Sequence, residues 1–248
     1  MILDLPDRGM PAPPDTPSTH RVVGIIGGMG PEATVDLMRR IIAKTPAHDD
    51  EDHIHLLVES NPKIPSRIAH LIKGTGADPT PELKRIARNL ERAGAQGLAI
   101  PCNTAHVYAD AIRGAVRIPL LDMVQLTVDK IAQSGNVARV ELLASTAVHR
   151  TALYERAFSA RGINTLVPSR QDQVMALIQA VKRGETGARP QAELGDIARD
   201  AASRADVVLI ACSELSVIAA GIAVPFVDSL DVLAQAVVNF ATHPTAPR

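Results

Sequence analysis

Aromatic residues and an excess of one charge are both lacking in this chain of 248 residues. Aromatics make up 2%, and tryptophan is absent, so no surface is available on which nucleic acid bases would stack in succession. Lys and Arg number 26 and Asp and Glu number 27, which gives a net charge of −1. Proteins that bind nucleic acid or anionic membranes concentrate positive charge. We therefore expect neither nucleic acid nor membrane as a partner.

Long hydrophobic runs and cysteines are also scarce. No apolar run reaches the roughly 18 residues that a membrane-spanning helix needs, and the N-terminus lacks the basic and apolar segments of a secretory signal. Two cysteines, Cys102 and Cys212, are too few for a disulfide framework. Apolar residues still make up 46% of the chain, as in a globular protein. The sequence thus predicts a cytoplasmic protein that handles a small molecule.

The first 20 residues differ in composition from the rest of the chain. They contain five prolines and no apolar periodicity, so residues 1–20 are predicted to be a disordered, Pro-rich arm. The C-terminal HPTAPR has a similar composition. The length corresponds to one large domain or two small ones, at about 150 residues per domain.

From residue 21 onward, short apolar runs alternate with amphipathic helical patterns. Apolar runs without polar alternation indicate strands that are buried on both faces of a parallel sheet, and the fold class is α/β. The predicted strands lie at 22–26, 54–59, 97–101, 118–122, 140–144, 163–167, 206–212 and 224–228. The predicted helices lie at 31–44, 80–94, 103–115, 124–134, 147–161, 170–184, 189–204 and 229–241. Ligands of such sheets bind beyond the carboxyl ends of the strands.

The chain contains an internal repeat around its two cysteines. GLAIPCNTAHV (97–107) and VVLIACSELSV (207–217) each run through an apolar strand, a cysteine, a small polar residue and a helix. We expect two similar Rossmann-like half-domains with parallel sheets and a site in the cleft between them. The N-terminal half spans 21–120 and is joined by the C-terminal segment 225–248, and the C-terminal half spans 121–224.

Each cysteine is predicted to lie between a buried strand and the start of a helix. Free N–H groups at a helix N-terminus lower a thiol pKa and favour the thiolate. A small buried apolar side chain is the alternative role, and a redox disulfide would suit neither the spacing nor a reducing compartment. One thiolate and one thiol on opposite walls of a cleft would remove and return a proton on opposite faces of one carbon.

The turn GGMGPEA (27–33) allows three interpretations. Gly28 to Ala33 matches the G-x-G-x-x-A dinucleotide fingerprint, with Glu59 as the ribose ligand, but Glu59 lies farther on than the roughly 20 residues usual for that acid. Alternatively, the backbone of Gly28, Met29 and Gly30 binds a carboxylate at a helix N-terminus. A plain tight turn is the third interpretation.

Six stretches together resemble the PLP-independent aspartate/glutamate racemase family. They are GIIGGMGPEAT (24–34), NPKIPSR (61–67), PCNTAH (101–106), LLASTAV (142–148), VKRG (181–184) and ACSELS (211–216). The resemblance implies two α/β half-domains with a cleft between them, usually in a homodimer, no cofactor, and Cys102 and Cys212 as the two catalytic bases. Ser213 stands where the family often has Thr, and Ser66 where an acid is common. The presence of both cysteines favours racemisation or isomerisation over decarboxylation.

The same resemblance extends to the substrate contacts. Family members that act on aspartate resemble this chain at Arg67 and Lys182, a fork and a point charge that suit a side-chain carboxylate; both residues are otherwise solvated surface charges. Short polar residues at strand ends suit the α-carboxylate or, alternatively, cap helices: Asn103, Thr104, Ser145, Thr146 and Ser213. His106 and Glu214 are candidates to orient or tune the thiols. The other histidines lack metal-ligand spacing, and no metal is expected.

These observations favour a cofactor-independent racemase that acts on aspartate first and glutamate second. Within enzymes, the alternative is a racemase or isomerase of another carboxylate, such as a dicarboxylic acid, a hydantoin or a broad range of amino acids. An NAD(P)-binding oxidoreductase and a non-catalytic carboxylate sensor are the alternatives of other classes.

Overall fold

The computed structural model describes residues 20–243. The predicted disordered arm, apart from its last residue, and the tail 244–248 lie outside the described residues. Within that range the chain forms two four-stranded parallel sheets with the same strand order, and helices cover them, which confirms the predicted α/β class. None of the helices between residues 20 and 243 is long and apolar enough to cross a membrane.

The first sheet has the order β2-β1-β3-β4. Val23 of β1 lies opposite Leu56 of β2 and Gly97 of β3. The strands are β1 (Val23–Gly27), β2 (Leu56–Ser60), β3 (Gly97–Ala99) and β4 (Leu120–Leu121), and the helices between them are α1 (Pro31–Lys44), α2 (Thr80–Arg92) and α3 (Ala109–Arg113).

The second sheet repeats this arrangement in the order β6-β5-β7-β8. Its strands are β5 (Arg139–Ala144), β6 (Asn164–Leu166), β7 (Val207–Ala211) and β8 (Phe226–Asp228). The remaining helices are α4 (Met123–Gln133), α5 (Thr146–Arg150), α6 (Glu155–Ser159), α7 (Gln171–Lys182), α8 (Ala188–Ala202), α9 (Ser213–Val217) and α10 (Ser229–Thr242). All eight predicted strands are therefore present.

Hydrophobic burial on both faces explains why the predicted strands form parallel sheets. Every residue of β1 is buried. On one face, α2 packs through an i, i+3, i+4, i+7 stripe of Leu83, Ile86, Ala87 and Leu90. On the other face, α1 and α10 share a core with Val23 and Ile25 of β1. With both faces covered, the strands need no polar alternation.

The C-terminal segment belongs to both sheets. β8 pairs with β7 of the second sheet, whereas α10 packs in the core of the first. A Cβ atom at Gly97 would lie 2.6 Å from the ring of Phe240, so glycine at this position allows α10 to lie against β3. The division of the chain at 21–120, 121–224 and 225–248 stays a prediction.

Two predicted helices are interrupted. The segment 103–115 begins as a 3₁₀ turn, Thr104–Tyr108, and continues as α3. The segment 147–161 divides into α5 and α6, with Ala152 between them at a φ of 50°. A left-handed residue ends a helix, and the apolar periodicity carries no sign of it because alanine is a good helix former.

Candidate active site

Both cysteines lie at the carboxyl ends of central strands. Cys102 follows β3, and Cys212 comes directly after β7 as the N-cap of α9. Each is a buried free thiol, and both line one pocket between the two sheets. The other residues of the pocket wall are Met29, Ser66, Arg67, Ile68, Asn103, Thr104, Ser145, Ile178, Lys182, Ser213 and Glu214. The predicted cleft between the half-domains is therefore confirmed.

Most of the sequence-predicted site residues line this pocket, and four do not: Gly28, Gly30, Thr146 and His106. The N–H of Gly28 donates to Thr34 Oγ1 at 2.9 Å, and the N–H of Thr146 contacts Met175 Sδ at 3.3 Å. The Gly28 amide is thus engaged within its own turn, and the Thr146 amide is engaged by a side chain of α7. The Gly28 N–H therefore already has an acceptor, and carboxylate binding by the backbone of this turn stays a prediction.

Three wall residues, Ser66, Ile68 and Ile178, were missed in the sequence. Ser66 and Ile68 flank Arg67 and would have followed from it. Ile178 lies four residues before Lys182 on α7, so the two side chains share a helix face. The four-residue spacing from Lys182 was therefore the signal from which Ile178 could have been predicted.

The glycine turn does not offer the features of a dinucleotide site. Glu59, the candidate ribose ligand, accepts from Arg85 at 2.6 Å and is directed toward α2. A Cβ at Gly28, where φ is 90°, would lie 2.4 Å from the carbonyl carbon of Asn61. The turn is thus packed directly against the backbone that follows β2.

Arg67 brings positive charge to the pocket, and no carboxylate between residues 20 and 243 forms an ion pair with it. Its Nη1 atom donates to the carbonyls of Ile64 at 3.4 Å and Pro65 at 3.1 Å, which fixes the side chain against its own loop. Its Nε atom is buried and has no hydrogen-bond partner within residues 20–243. An anionic ligand would satisfy this donor.

Lys182, Glu214 and Cys212 form a connected chain of contacts. Lys182 Nζ lies 3.4 Å from Glu214 Oε1, and the Cys212 thiol donates to Glu214 Oε2 at 3.1 Å. Lys182 is half-exposed, and its positive charge is already paired with a carboxylate. The charge of Glu214 offsets it.

Burial raises the pKa of both thiols, contrary to the lowering expected from a helix N-terminus. For Cys102, Glu214 adds to this effect, whereas the positive charge of Arg67 opposes it. For Cys212, the negative charge of Glu214 and its hydrogen bond reinforce burial, and the pKa is raised well above the ordinary thiol value. Desolvation therefore raises the pKa of each thiol by more than the helix N-terminus lowers it. The charged neighbour with the largest effect is the positive Arg67 for Cys102 and the negative Glu214 for Cys212.

His106 supports the turn that carries Cys102. Its Nε2 accepts the N–H of Met123 at 3.1 Å, so Nδ1 holds the proton and donates to the carbonyl of Cys102 at 3.0 Å. Burial lowers the pKa of His106, which keeps the ring neutral. The ring therefore anchors the Cys102 backbone to the start of α4.

Residues next to each cysteine bridge the two halves. Ser213 Oγ donates to the carbonyl of Pro101 at 2.9 Å, and the hydroxyls of Thr104 and Ser145 lie 3.3 Å apart. Because a serine hydroxyl has one proton, Ser213 cannot also donate to a carboxylate while this bond holds. These hydrogen bonds set the positions of the two pocket walls.

Residues 20–243 contain no group of three or more His, Cys, Asp or Glu side chains that could hold a metal ion. The reactive groups brought together here are two thiols from opposite halves, the Glu214 carboxylate and two cationic side chains.

Comparison with known proteins connects this pocket to a family. Residues 26–237 match the family model described as Asp/Glu/Hydantoin racemase. The chain is 28% identical over 229 residues to the broad specificity amino-acid racemase RacX of Bacillus subtilis, covering 88% of this chain and 97% of RacX.

Solved structures agree with that match. The aspartate racemase of Picrophilus torridus superposes with a TM-score of 0.81 at 30% identity, covering 88% of this chain and 93% of that one. The glutamate racemase isoform RacE1 of Bacillus anthracis shares the fold, with a TM-score of 0.61 at 13% identity over 88% of this chain and 80% of that one. The chain belongs to the Asp/Glu/hydantoin racemase family and is an isomerase.

Proposed function

We propose that the protein is a cofactor-independent racemase that interconverts L- and D-aspartate, and secondarily glutamate, with Cys102 and Cys212 as its two bases. The observation that carries the proposal is the presence of both cysteines, each from its own half, on the wall of one pocket that Arg67 also lines.

In the proposed reaction, one cysteine thiolate takes the α-proton and becomes a thiol. The C–H electron pair passes into the α-carbon and its carboxylate, and the opposite thiol then gives its proton to the other face of that carbon. The net result is inversion without oxidation or reduction. The roles of the two cysteines exchange for the opposite enantiomer.

Thiolate formation needs help in this pocket because burial holds both thiols neutral. Arg67 favours the Cys102 thiolate by its charge. Glu214 accepts the hydrogen bond of the Cys212 thiol and so favours the protonated form of Cys212, the form that returns a proton to the substrate. The half-exposed Lys182 beside Glu214 connects this pair to solvent.

A racemase for a broader range of amino acids is the second candidate. Ile68 and Ile178 give the pocket an apolar part, and pairing with Glu214 weakens the pull of Lys182 on a second carboxylate. The similarity to RacX, named as a broad specificity racemase, supports the same candidate.

A substrate panel decides between these functions. Purified protein without added PLP is incubated with L-Asp, L-Glu and several neutral and basic amino acids, and the products are separated by chiral chromatography. We expect D-Asp to form fastest. Faster turnover of neutral substrates supports the broad-range racemase, and no inversion of any substrate contradicts racemase activity.

The assembly and location of the protein are also proposals. We infer a homodimer from the resemblance to the racemase family, and we propose a cytoplasmic location as the default for this composition. Light scattering on the purified full chain tests the oligomer: a mass of twice 26.3 kDa is expected, and a monomeric mass contradicts it.

A further inference from the structure

Asn103, next to Cys102, is held by two residues from elsewhere in the chain. Tyr154, between α5 and α6, is fully buried, and its hydroxyl donates to Asn103 Oδ1 at 2.6 Å. Asn103 Nδ2 donates to Ser229 Oγ, at the start of α10, at 3.1 Å. Asn103 is only 2% exposed and yet lines the pocket. The Tyr154 and Ser229 hydrogen bonds therefore fix the Asn103 amide, while part of the residue contacts the pocket.

Hydrogen-bond counting shows what remains available on Asn103. A primary amide has two N–H donors and two acceptor lone pairs on its oxygen. Ser229 takes one donor, and Tyr154 uses one lone pair. One N–H remains for a ligand, and the Tyr154 bond keeps the amide oxygen turned away from that ligand.

We propose that Tyr154 is a positioning residue that orients the Asn103 amide so that its remaining N–H donates to the α-carboxylate of the substrate. The inference rests on the proposed racemase function. When the α-proton leaves, negative charge builds on the α-carboxylate oxygens, and a donor that is already fixed stabilises this charge without reorganising. Without Tyr154, the amide oxygen would be free to turn toward the carboxylate and repel it.

The origin of Tyr154 gives the network a second consequence. Tyr154 follows β5 of the second sheet, whereas Asn103 follows β3 of the first. The donor beside Cys102 is therefore correctly oriented only when the two halves are in contact. Tyr154 contributes to the pocket through Asn103 and does not line the wall itself.

Tyr154→Phe tests this role because it removes the hydroxyl and keeps the ring. We expect kcat/KM for L-aspartate to fall about 10- to 100-fold, mainly through kcat, because the lost orientation matters most in the transition state. Tyr108→Phe is the matched control. It removes the hydroxyl of the other tyrosine, which is buried without a hydrogen-bond partner within residues 20–243, and should change kcat/KM by no more than about twofold.

A double-mutant cycle separates positioning from a general loss of structure. If Tyr154 acts through Asn103, then Asn103→Ala combined with Tyr154→Phe should be no slower than Asn103→Ala alone. Multiplying rate losses in the double variant would contradict the inference, as would wild-type rates for Tyr154→Phe. Thermal denaturation of each variant shows whether the fold is retained.

An NMR measurement on the wild-type chain covers the case in which a variant fails to fold. The Tyr154 hydroxyl and the side-chain amide signals of Asn103 are assigned, and their exchange with solvent is measured. We expect slow exchange for the Tyr154 hydroxyl proton, which is bonded to Asn103 Oδ1, and for the amide proton bonded to Ser229, and fast exchange of the hydroxyl proton would contradict the network. Wild-type protein that inverts no amino acid would contradict the proposed function instead, and this NMR result would still judge the Tyr154 network.

Discussion

At the scale of single residues, Glu214 is the side chain that most alters the chemistry of the pocket. Its carboxylate contacts both Cys212 and Lys182, and its negative charge adds to burial in raising the pKa of Cys212. A negative neighbour disfavours the thiolate, so its removal must lower the thiol pKa.

Glu214→Gln should therefore move the pH dependence of Cys212 alkylation to lower pH. Iodoacetamide labelling over a pH series, with mass spectrometry to separate the Cys212 and Cys102 peptides, measures this shift. Glu185→Gln, an exposed carboxylate paired with Arg183, is the control and should leave the curve in place. A curve that stays or moves to higher pH for Glu214→Gln would contradict the electrostatic account.

Arg67 and Lys182 are predicted to determine the preference for an acidic substrate. A charge-assisted hydrogen bond to a carboxylate contributes about 1.5–3 kcal/mol, so Arg67→Ala or Lys182→Ala should reduce kcat/KM for aspartate about 10- to 100-fold. Arg67→Lys should also have a reduced kcat/KM for aspartate, because a lysine ammonium cannot form the two parallel hydrogen bonds that an arginine guanidinium donates to a carboxylate. Activity on a neutral amino acid, compared in the same assay, should fall much less. Unchanged aspartate kinetics in both alanine variants would remove the basis for an acidic substrate.

At the scale of elements, the turn between β1 and α1 requires glycine at position 28. Gly28 has a φ of 90°, and an added Cβ would overlap the backbone of Asn61. Gly184, which follows α7, has a φ of 86° but open space around it. The two positions separate the effect of backbone conformation from that of steric overlap.

Gly184→Ala should lower the free energy of unfolding by about 1–2 kcal/mol, the cost of a left-handed alanine. Gly28→Ala should lower it by a further 1–3 kcal/mol, because the surrounding backbone must move to accept the methyl group. Urea denaturation measures both values. Equal losses in the two variants would show that the turn tolerates a side chain.

The strands were predictable and the helix breaks were not, for physical reasons. A run such as VVLIA (207–211) is apolar throughout because both faces of the sheet are covered, and that signal is local. The left-handed Ala152 between α5 and α6 is set by surrounding packing, to which a single alanine gives no clue. The 3₁₀ turn after Cys102 is likewise held by a distant contact, from His106 to Met123.

At the scale of the whole molecule, a buried ion pair joins the two halves behind Cys212. Arg40 of α1 contacts Asp228 at 2.7 Å and Asp36 at 2.9 Å, and it also donates to the carbonyl of Ser216 at 3.1 Å. Ser216 in turn donates to Asp228 at 2.7 Å. The pair thus connects α1, which covers the first sheet, to α9 and to β8 of the second sheet.

Arg40→Leu should lower the free energy of unfolding by about 3–5 kcal/mol, because it leaves Asp228 buried without a counter-charge. Arg39→Leu is the matched control. Arg39 also pairs with Asp36 but is 69% exposed, so its loss should cost less than about 1 kcal/mol. Chemical denaturation of the two variants compares them, and similar stabilities would show that the Arg40 contacts do not hold the halves together.

The contacts between the halves also mark where sequence reasoning ended at the site. The cysteines were predicted from their repeated setting, which is local to each strand end. The pairing of Tyr154 with Asn103 depends on how the two halves meet, and that of Lys182 with Glu214 depends on how α7 packs against α9 within the second half. No pattern within a single segment encodes either pairing. Only the structure shows that the positive Arg67 lies near Cys102 and the negative Glu214 near Cys212.

The central claim is that two thiols act on opposite faces of one carbon, and α-deuteration in D₂O tests it most directly. Wild-type protein, Cys102→Ser and Cys212→Ser are each incubated with L-aspartate and with D-aspartate, without PLP, and deuterium at the α-carbon and the yield of the opposite enantiomer are measured. We expect the wild type to deuterate and invert both enantiomers. Each serine variant should lose inversion and retain exchange on one enantiomer only, a different one for each variant. A loss of only a few-fold in inversion for either variant would contradict the two-base account.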